Sequence, residues 1–319
     1  MIYMNTSKDT LIIHHWDTDG ICTASLLYND KAKNITPKIG NYFLEEEEIK
    51  EIRNAGFERI YVADLALNEE SIKALADIAS VKVFDHHVTK KIDGIDYINP
   101  ILEGKSEEDY PSASWVVGEV LNKKNILAFL GAVGDWEERL KNIKFYEKLQ
   151  SFMEKEGITF EEMHEMVALI DSNYKIGDKE EVERAVAMIS EADDIANFIL
   201  NNEKWKRNKE TIDEEIAKAL NTEGKRIGNI LIKEMNCKYN IISTVARRLW
   251  DKRNYVVVIN CGYFPNDCQV YVRGNDCLKL IKMALERKYV AGGKKNVMGA
   301  IVPKNECNEF VNEVINVIR

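Results

Sequence analysis

His15, Asp17 and Asp19 alternate along His14-His15-Trp16-Asp17-Thr18-Asp19-Gly20. Alternate side chains of a strand share a face. One imidazole and two carboxylates therefore converge where the apolar run Leu11-Ile12-Ile13 ends and the chain turns at Gly20 toward Ile21 to Leu27. Imidazole with carboxylate suits manganese, zinc or iron, and carboxylate alone suits magnesium. Three more corners carry donors of the same kind: Asp64 after Ile60 to Ala63, Asp85-His86-His87 after Val81 to Phe84, and Asp135 after Leu130 to Gly134. A lone acid at such a corner commonly caps the next helix by accepting its free amides. The donors of all four corners together are enough for two divalent cations, which can clamp the attacking and leaving oxygens in phosphoryl chemistry. His14, on the opposite strand face from His15, reads as structural, and so does the isolated His164.

Positioning these groups calls for short strands separated by helices. Leu11 to His15, Thr36 to Ile39, Ile60 to Asp64, Val81 to Asp85 and Asp96 to Asn99 read as strands. Helices are expected near Gly20 to Tyr28, Glu45 to Asn54 and Glu69 to Ala79. This alternation predicts an α/β fold with a doubly wound parallel sheet, whose carboxyl edge is where ligands bind. From Ser112 to about Asn202 the chain reads as a helical extension, placing the first domain at 1–202. An exposed connecting helix is expected over 203–224, long enough at ~30 Å to hold two domains apart across a cleft. A smaller α/β domain follows at 225–319, with strands over Arg226 to Met235, Tyr255 to Ile259 and Asp267 to Arg273, and helices over Ser243 to Asp251, Asp276 to Lys288 and Glu306 to Ile318.

With 319 residues, 45% hydrophobic and 30% charged, the chain can build two cores. No apolar run reaches the ~18 residues of a membrane span, and Met1 to Asp9 lacks a leader layout, so a cytoplasmic protein that does not enter membranes is expected. Six cysteines without a closely spaced pair read as reduced, buried small hydrophobes. A net charge of -9 argues against a broad basic surface coating duplex nucleic acid, but two divalent cations would offset part of it. Pairs such as Arg247-Arg248, Lys252-Arg253 and Lys294-Lys295 remain for a single-strand groove.

The ordered set His15-Trp16-Asp17-Thr18-Asp19-Gly20, Asp64, Asp85-His86-His87 and Asp135 resembles the four metal motifs of the DHH phosphoesterase superfamily. That superfamily includes RecJ exonucleases, oligoribonucleases and cyclic dinucleotide phosphodiesterases. The resemblance implies one metal on His15, Asp17 and Asp64 and a second on Asp19, Asp64, His86 and Asp135, with Asp64 bridging. It also implies that His87 faces the scissile phosphate and that Asp85 holds His86 in place. The C-terminal part resembles the DHHA1 domain that accompanies the metal domain. Arg273 at a strand end matches its substrate-gripping arginine, and Gly292-Gly293 with Gly299 matches its glycine-rich loop, although Lys294 stands where that family has histidine. A lysine still offers a phosphate a cation, without the imidazole's planar hydrogen bonding.

The resemblance thus implies a phosphodiesterase in which hydroxide bridged by two cations, Mn2+ first and Mg2+ or Co2+ otherwise, attacks phosphorus. Asp85 and His87 would assist catalysis, and Arg273, Gly292, Gly293 and Lys294 would contact substrate. The leading expectation is a RecJ-like exonuclease on single-stranded DNA or RNA. The alternatives are an oligoribonuclease or small-nucleotide phosphatase, and a weakly catalytic partner of replication or repair proteins.

Overall fold

The computed structural model describes residues 9–319; Met1 to Lys8, part of the stretch read as lacking a leader, lie outside the described residues. The chain divides into two compact units, one comprising the chain to Tyr174 with Asp178–Asn208, the other Lys175–Gly177 with Lys209–Arg319.

In the first unit β1 (Thr10–His14), α1 (Thr18–Leu27), β2 (Ala32–Ile35), α2 (Glu46–Ala55), β3 (Arg59–Ala63), α3 (Glu69–Ala76), β4 (Ser80–Phe84) and β5 (Asp96–Ile98) alternate as expected. The strands form one sheet in the order β2-β1-β3-β4-β5, every neighbour parallel. Parallel strands need crossovers that cover both faces, so their side chains are apolar on each side. Leu11, Ile13, Ile60, Val62, Val81 and Val83 pack with Ile52 and Ile72 of α2 and α3. Ile12, Ala63 and Phe84 pack the other way, in a core that includes Ile21 of α1. Because β2 and β3 flank β1 on opposite sides, successive connections diverge there and leave a crevice at the carboxyl ends.

The helical extension follows as α4 (Ala113–Val120), α5 (Ile126–Trp136), α6 (Phe145–Glu156), α7 (Phe160–Ile176), α8 (Lys179–Ser190) and α9 (Ile195–Leu200). Helix α10 (Glu203–Asn221) is present but is not an exposed strut. Trp205 is fully buried in the first unit, its indole donating to Glu181 at 2.8 Å, and Ile212 and Ile216 are buried in the second. Their three- and four-residue spacing marked a face that is covered rather than solvated.

The second unit holds β6 (Lys225–Ile227), β7 (Ile230–Met235), α11 (Ile242–Leu249), β8 (Tyr255–Asn260), β9 (Asp267–Arg273), α12 (Leu278–Glu286), β10 (Val290–Lys294), β11 (Val297–Pro303) and α13 (Cys307–Ile318). Its sheet runs β10-β11-β9-β8-β7-β6, antiparallel except for the β7–β8 pair.

Three local expectations are corrected here. Strand β2 lies four residues before Thr36 to Ile39, because Pro37 has no amide for a ladder and Thr36 instead caps the β1 carbonyl, its hydroxyl donating to His14 O at 2.8 Å. The segment Arg226 to Met235 is a hairpin that turns at Gly228, not one strand. Cys261 and Cys268 are joined by a disulfide across β8 and β9, so not all six cysteines are reduced; Cys22, Cys237, Cys277 and Cys307 are free and buried. Among the described residues no helix is long and apolar enough to cross a membrane.

Candidate metal centre

The β1–α1 corner is set by capping. Asp17 is the N-cap of α1 and accepts the Gly20 amide at 3.1 Å, while its other oxygen lies 2.8 Å from His15 Nδ1. Asp19, in the first turn and 1% exposed, accepts the amides of Ala113 at 2.7 Å and Ser114 at 2.9 Å at the start of α4. A carboxylate at a helix N-terminus meets free amides and the positive end of the dipole. Gly131 of α5 makes room for it, since a Cβ there would overlap the Asp19 carboxylate and the Ser114 hydroxyl. Asp171 of α7 holds the corner from below, accepting the Thr18 amide at 3.0 Å and its hydroxyl at 2.7 Å.

Asp64 leaves β3 with φ 54°, a left-handed backbone that non-glycine residues adopt at a cost, commonly at functional sites. Its Oδ2 lies 3.8 Å from His15 Nδ1 and its Oδ1 3.6 Å from His86 Nε2, so one carboxylate faces both donor groups. His86 Nε2 is also 3.1 Å from Asp135 Oδ2 and 3.7 Å from Asp19 Oδ2. The donor atoms of His15, Asp17 and Asp64 lie within 4.8 Å of one another, as do those of Asp19, His86 and Asp135 and those of Asp64, His86 and His87. Although the Asp135 contact is short, neither His86 Nε2 nor Asp64 Oδ1 has an aligned hydrogen-bond partner, and both atoms are buried. Buried polar atoms without partners are rare and costly, and a cation between them would satisfy both.

The expectation for Asp85 is corrected in part. Its Oδ1 accepts the backbone amide of His86 at 2.8 Å, but the ring it holds is that of His87, whose Nδ1 donates at 2.8 Å. A two-residue separation brings the His87 ring back onto the carboxylate, while the His86 ring turns toward Asp135 and Asp64. Asn99 fixes the same turn by donating to His87 O at 2.8 Å.

The acids oppose one another. Burial, then the charges of Asp19, Asp17 and Asp135, push the Asp64 carboxyl well above the usual carboxylate range. Burial and the Asp135 charge raise Asp19 to about 6. Burial works against the charged form of His86, but the close contact and charge of Asp135 outweigh it and raise the imidazole to about 9. Asp17, also opposed by burial, is held down at about 2 by His15. His14 is pushed down to about 4 by burial and stays a neutral ring, donating to His15 O at 2.7 Å. The cluster is short of positive charge.

No protein-family model and no curated protein sequence matches this chain. Solved structures do. RecJ from Thermus thermophilus in complex with Mn2+ matches 98% of this chain and 52% of its own, with TM-score 0.66 and 16% identity. The DHH domain of a member of a ribosomal-protein family matches 98% of this chain and 87% of its own, with TM-score 0.69 and 16% identity. This chain has the DHH fold. It spans about half the length of that RecJ. The pGpG-specific phosphodiesterase PggH from Vibrio cholerae shares the DHH fold over 98% of this chain and 99% of its own, with TM-score 0.52 and 14% identity.

The first unit of this DHH fold brings together His15, Asp17, Asp19, Asp64, Asp85, His86, His87 and Asp135. The other four candidates lie in the second unit. Arg273 ends β9, its guanidinium 5.7 Å from the Trp250 ring and its Nε buried without a partner. Gly292 and Gly293 belong to the edge strand β10 rather than a loop, because they pair with Gly299 and Met298 of β11. Gly293 is required there: its φ is 148° and a Cβ would strike the Val297 carbonyl. Lys294 pairs with Val297, which pairs with Arg273, so the two cations flank β11 at one end of the sheet. Asp171, Asn99 and the Ala113 and Ser114 amides were not singled out in the sequence as supports of the site. Asp171 lies 153 positions from Thr18, and no local pattern connects them.

Proposed function

We propose that this chain is a metal-dependent phosphodiesterase in which His15, Asp17 and Asp64 hold one divalent cation and Asp19, Asp64, His86 and Asp135 a second. The observation that carries this reading is the pair of buried, partnerless atoms, Asp64 Oδ1 and His86 Nε2, at the centre of converging donors. Bound there, the cations would make water acidic enough to attack at neutral pH and offset charge on the phosphate oxygens. The protein's own part is to orient and to move protons. Asp85 fixes the His87 ring through Nδ1, which leaves Nε2 of this one-third exposed side chain to meet a phosphate or leaving oxygen. RecJ structures with Mn2+ and with Mg2+ share the fold, which supports either metal, and Mn2+ fits the mixed imidazole and carboxylate set.

For substrate, we infer an exonuclease on single-stranded DNA or RNA that releases mononucleotides, with Arg273, Gly292, Gly293 and Lys294 contacting the strand. The RecJ fold and a surface cation beside a glycine-bearing strand support it. A second reading, hydrolysis of very short oligonucleotides, draws on the near-complete mutual coverage with the pGpG-specific phosphodiesterase. The role of weakly catalytic replication or repair partner is disfavoured by the full donor set. The test is a Mn2+-dependent time course on 5′- and 3′-labelled single strands of DNA and RNA, from dinucleotides to ~30 nucleotides, with Asp85→Ala as control. Laddering of long strands supports the exonuclease, cleavage confined to the shortest supports the second reading, and no metal-dependent cleavage refutes both.

A further inference from the structure

Tyr42 is an aromatic side chain that the proposed chemistry does not use, standing at the edge of the cluster. It lies in the loop between β2 and α2 and is 49% exposed. Its ring stacks on His15 at 5.8 Å between centroids with 29° between planes, and it meets the buried Trp16 edge-on at 5.4 Å. The loop is anchored at its backbone at the ring's own residue and two positions beyond it. Tyr42 O accepts the Asn68 amide at 3.0 Å, and the Leu44 amide donates to Ser71 Oγ at 2.9 Å. The ring is therefore held in place before any ligand arrives, and little ordering cost remains for binding. Half-exposed tyrosines are common on surfaces. What distinguishes this one is its support: a metal-type donor beneath it and a buried indole beside it.

We propose that Tyr42 is the stacking platform for the nucleobase next to the scissile phosphate. This rests on the phosphodiesterase reading and adds to it the part of the substrate that the first unit grips. The scissile phosphate would sit on the cation that His15 helps to hold, and the Tyr42 ring lies beside that imidazole with its outer side exposed. Every base has a π face, so such a platform accepts all four bases without reading sequence, as a degradative enzyme requires. Tyr42 also has a hydroxyl 3.5 Å from His15 Nε2, the ring nitrogen away from Asp17 and Asp64. That contact offers a different role, positioning the histidine, and the two roles separate cleanly because one needs the ring and the other the oxygen.

The experiment compares wild type, Tyr42→Ala, Tyr42→Phe and Tyr42→Trp on a dinucleotide and on two analogues, each lacking one of its two bases, with Mn2+ affinity measured alongside. Stacking predicts that Tyr42→Ala raises KM by about tenfold or more on the intact dinucleotide with little change in kcat. It also predicts that Phe and Trp restore binding, and that the gap between wild type and Tyr42→Ala closes on one of the two analogues, which identifies the side of the phosphate. If Tyr42→Phe fails as badly as Tyr42→Ala and Mn2+ affinity falls with it, the hydroxyl is what matters and the platform is refuted. An equal gap on all three substrates refutes it too. Wild type that cuts neither these nor a ~30-nucleotide single strand with Mn2+ overturns the phosphodiesterase reading itself, and this inference with it; if only the long strand is cut, the same comparison is read on strands lacking the base on one or the other side of the terminal phosphodiester.

Discussion

At the carboxyl ends of β1, β3 and β4, acids and imidazoles are packed out of water against one another, and opposite charges at close range override burial to hold Asp17 near 2 and His86 near 9. At one end of the second sheet, Lys294 is exposed and Arg273 is half-buried beside Trp250, on either side of β11. The first arrangement is mutual: each donor is tolerable because of the others and of the cation they would share. The second is additive, since surface cations act on a phosphate one at a time and through water. A buried polar cluster therefore behaves as a unit, and a surface pair behaves as a sum.

The largest effect that tests this contrast is Asp64→Asn, which keeps a residue tolerant of the left-handed backbone but removes the shared charge. Turnover should fall by more than about a thousandfold, beyond the 10–100-fold typical of outer partners, and Mn2+ titration should show both sites weakened. Loss of one site alone would break the idea of a unit. Next is Asp85→Asn, expected to lower kcat by about 10–100-fold while Mn2+ affinity holds, because Asp85 touches the His87 ring and not the His86 ring.

The third test is metal removal. Asp19 is raised to about 6 from the ordinary 3.8, so the folded state resists its ionisation, and stability is lost as pH rises from 4 to 6. His86 is raised from 6.5 to about 9, so its contribution is full below 6.5 and lost on the way to 9. Both signs agree: chelated protein should melt several degrees lower at pH 9 than at pH 5, and Mn2+ should raise Tm more at the higher pH. A chelated Tm that rises with pH would contradict the electrostatics. Smallest are the second-unit cations. Arg273→Ala should raise KM by about tenfold and Lys294→Ala by about two- to threefold, with the double variant multiplicative. A double variant no worse than Arg273→Ala would mean that this pair, too, acts as a unit.

Most of the first sheet was legible because a parallel strand buried on both faces is an apolar run that stops abruptly, and the stops of β1, β3 and β4 coincide with donors. Strand β2 was misplaced because half of it, Lys33 and Asn34, is polar, and pairing with β1 rather than apolarity defines it. Gly292 and Gly293 look like a loop since glycine is a poor strand former, but the β11 ladder overrides that preference. Trp205 on α10 could have been suspected of burial, as an indole is an expensive group to leave in water.

The amino-acid sequence by itself determined which side chains end the strands of the first unit, hence the donor types and their order, because strand period and strand end are local properties. Only the tertiary structure decided that Asp85 serves the His87 ring, that Gly131 clears a space for Asp19, that Asp171 underpins Thr18, and that Tyr42 lies over His15. Those relations join residues up to 153 positions apart, and such contacts arise from the packing of whole elements, which no local pattern encodes.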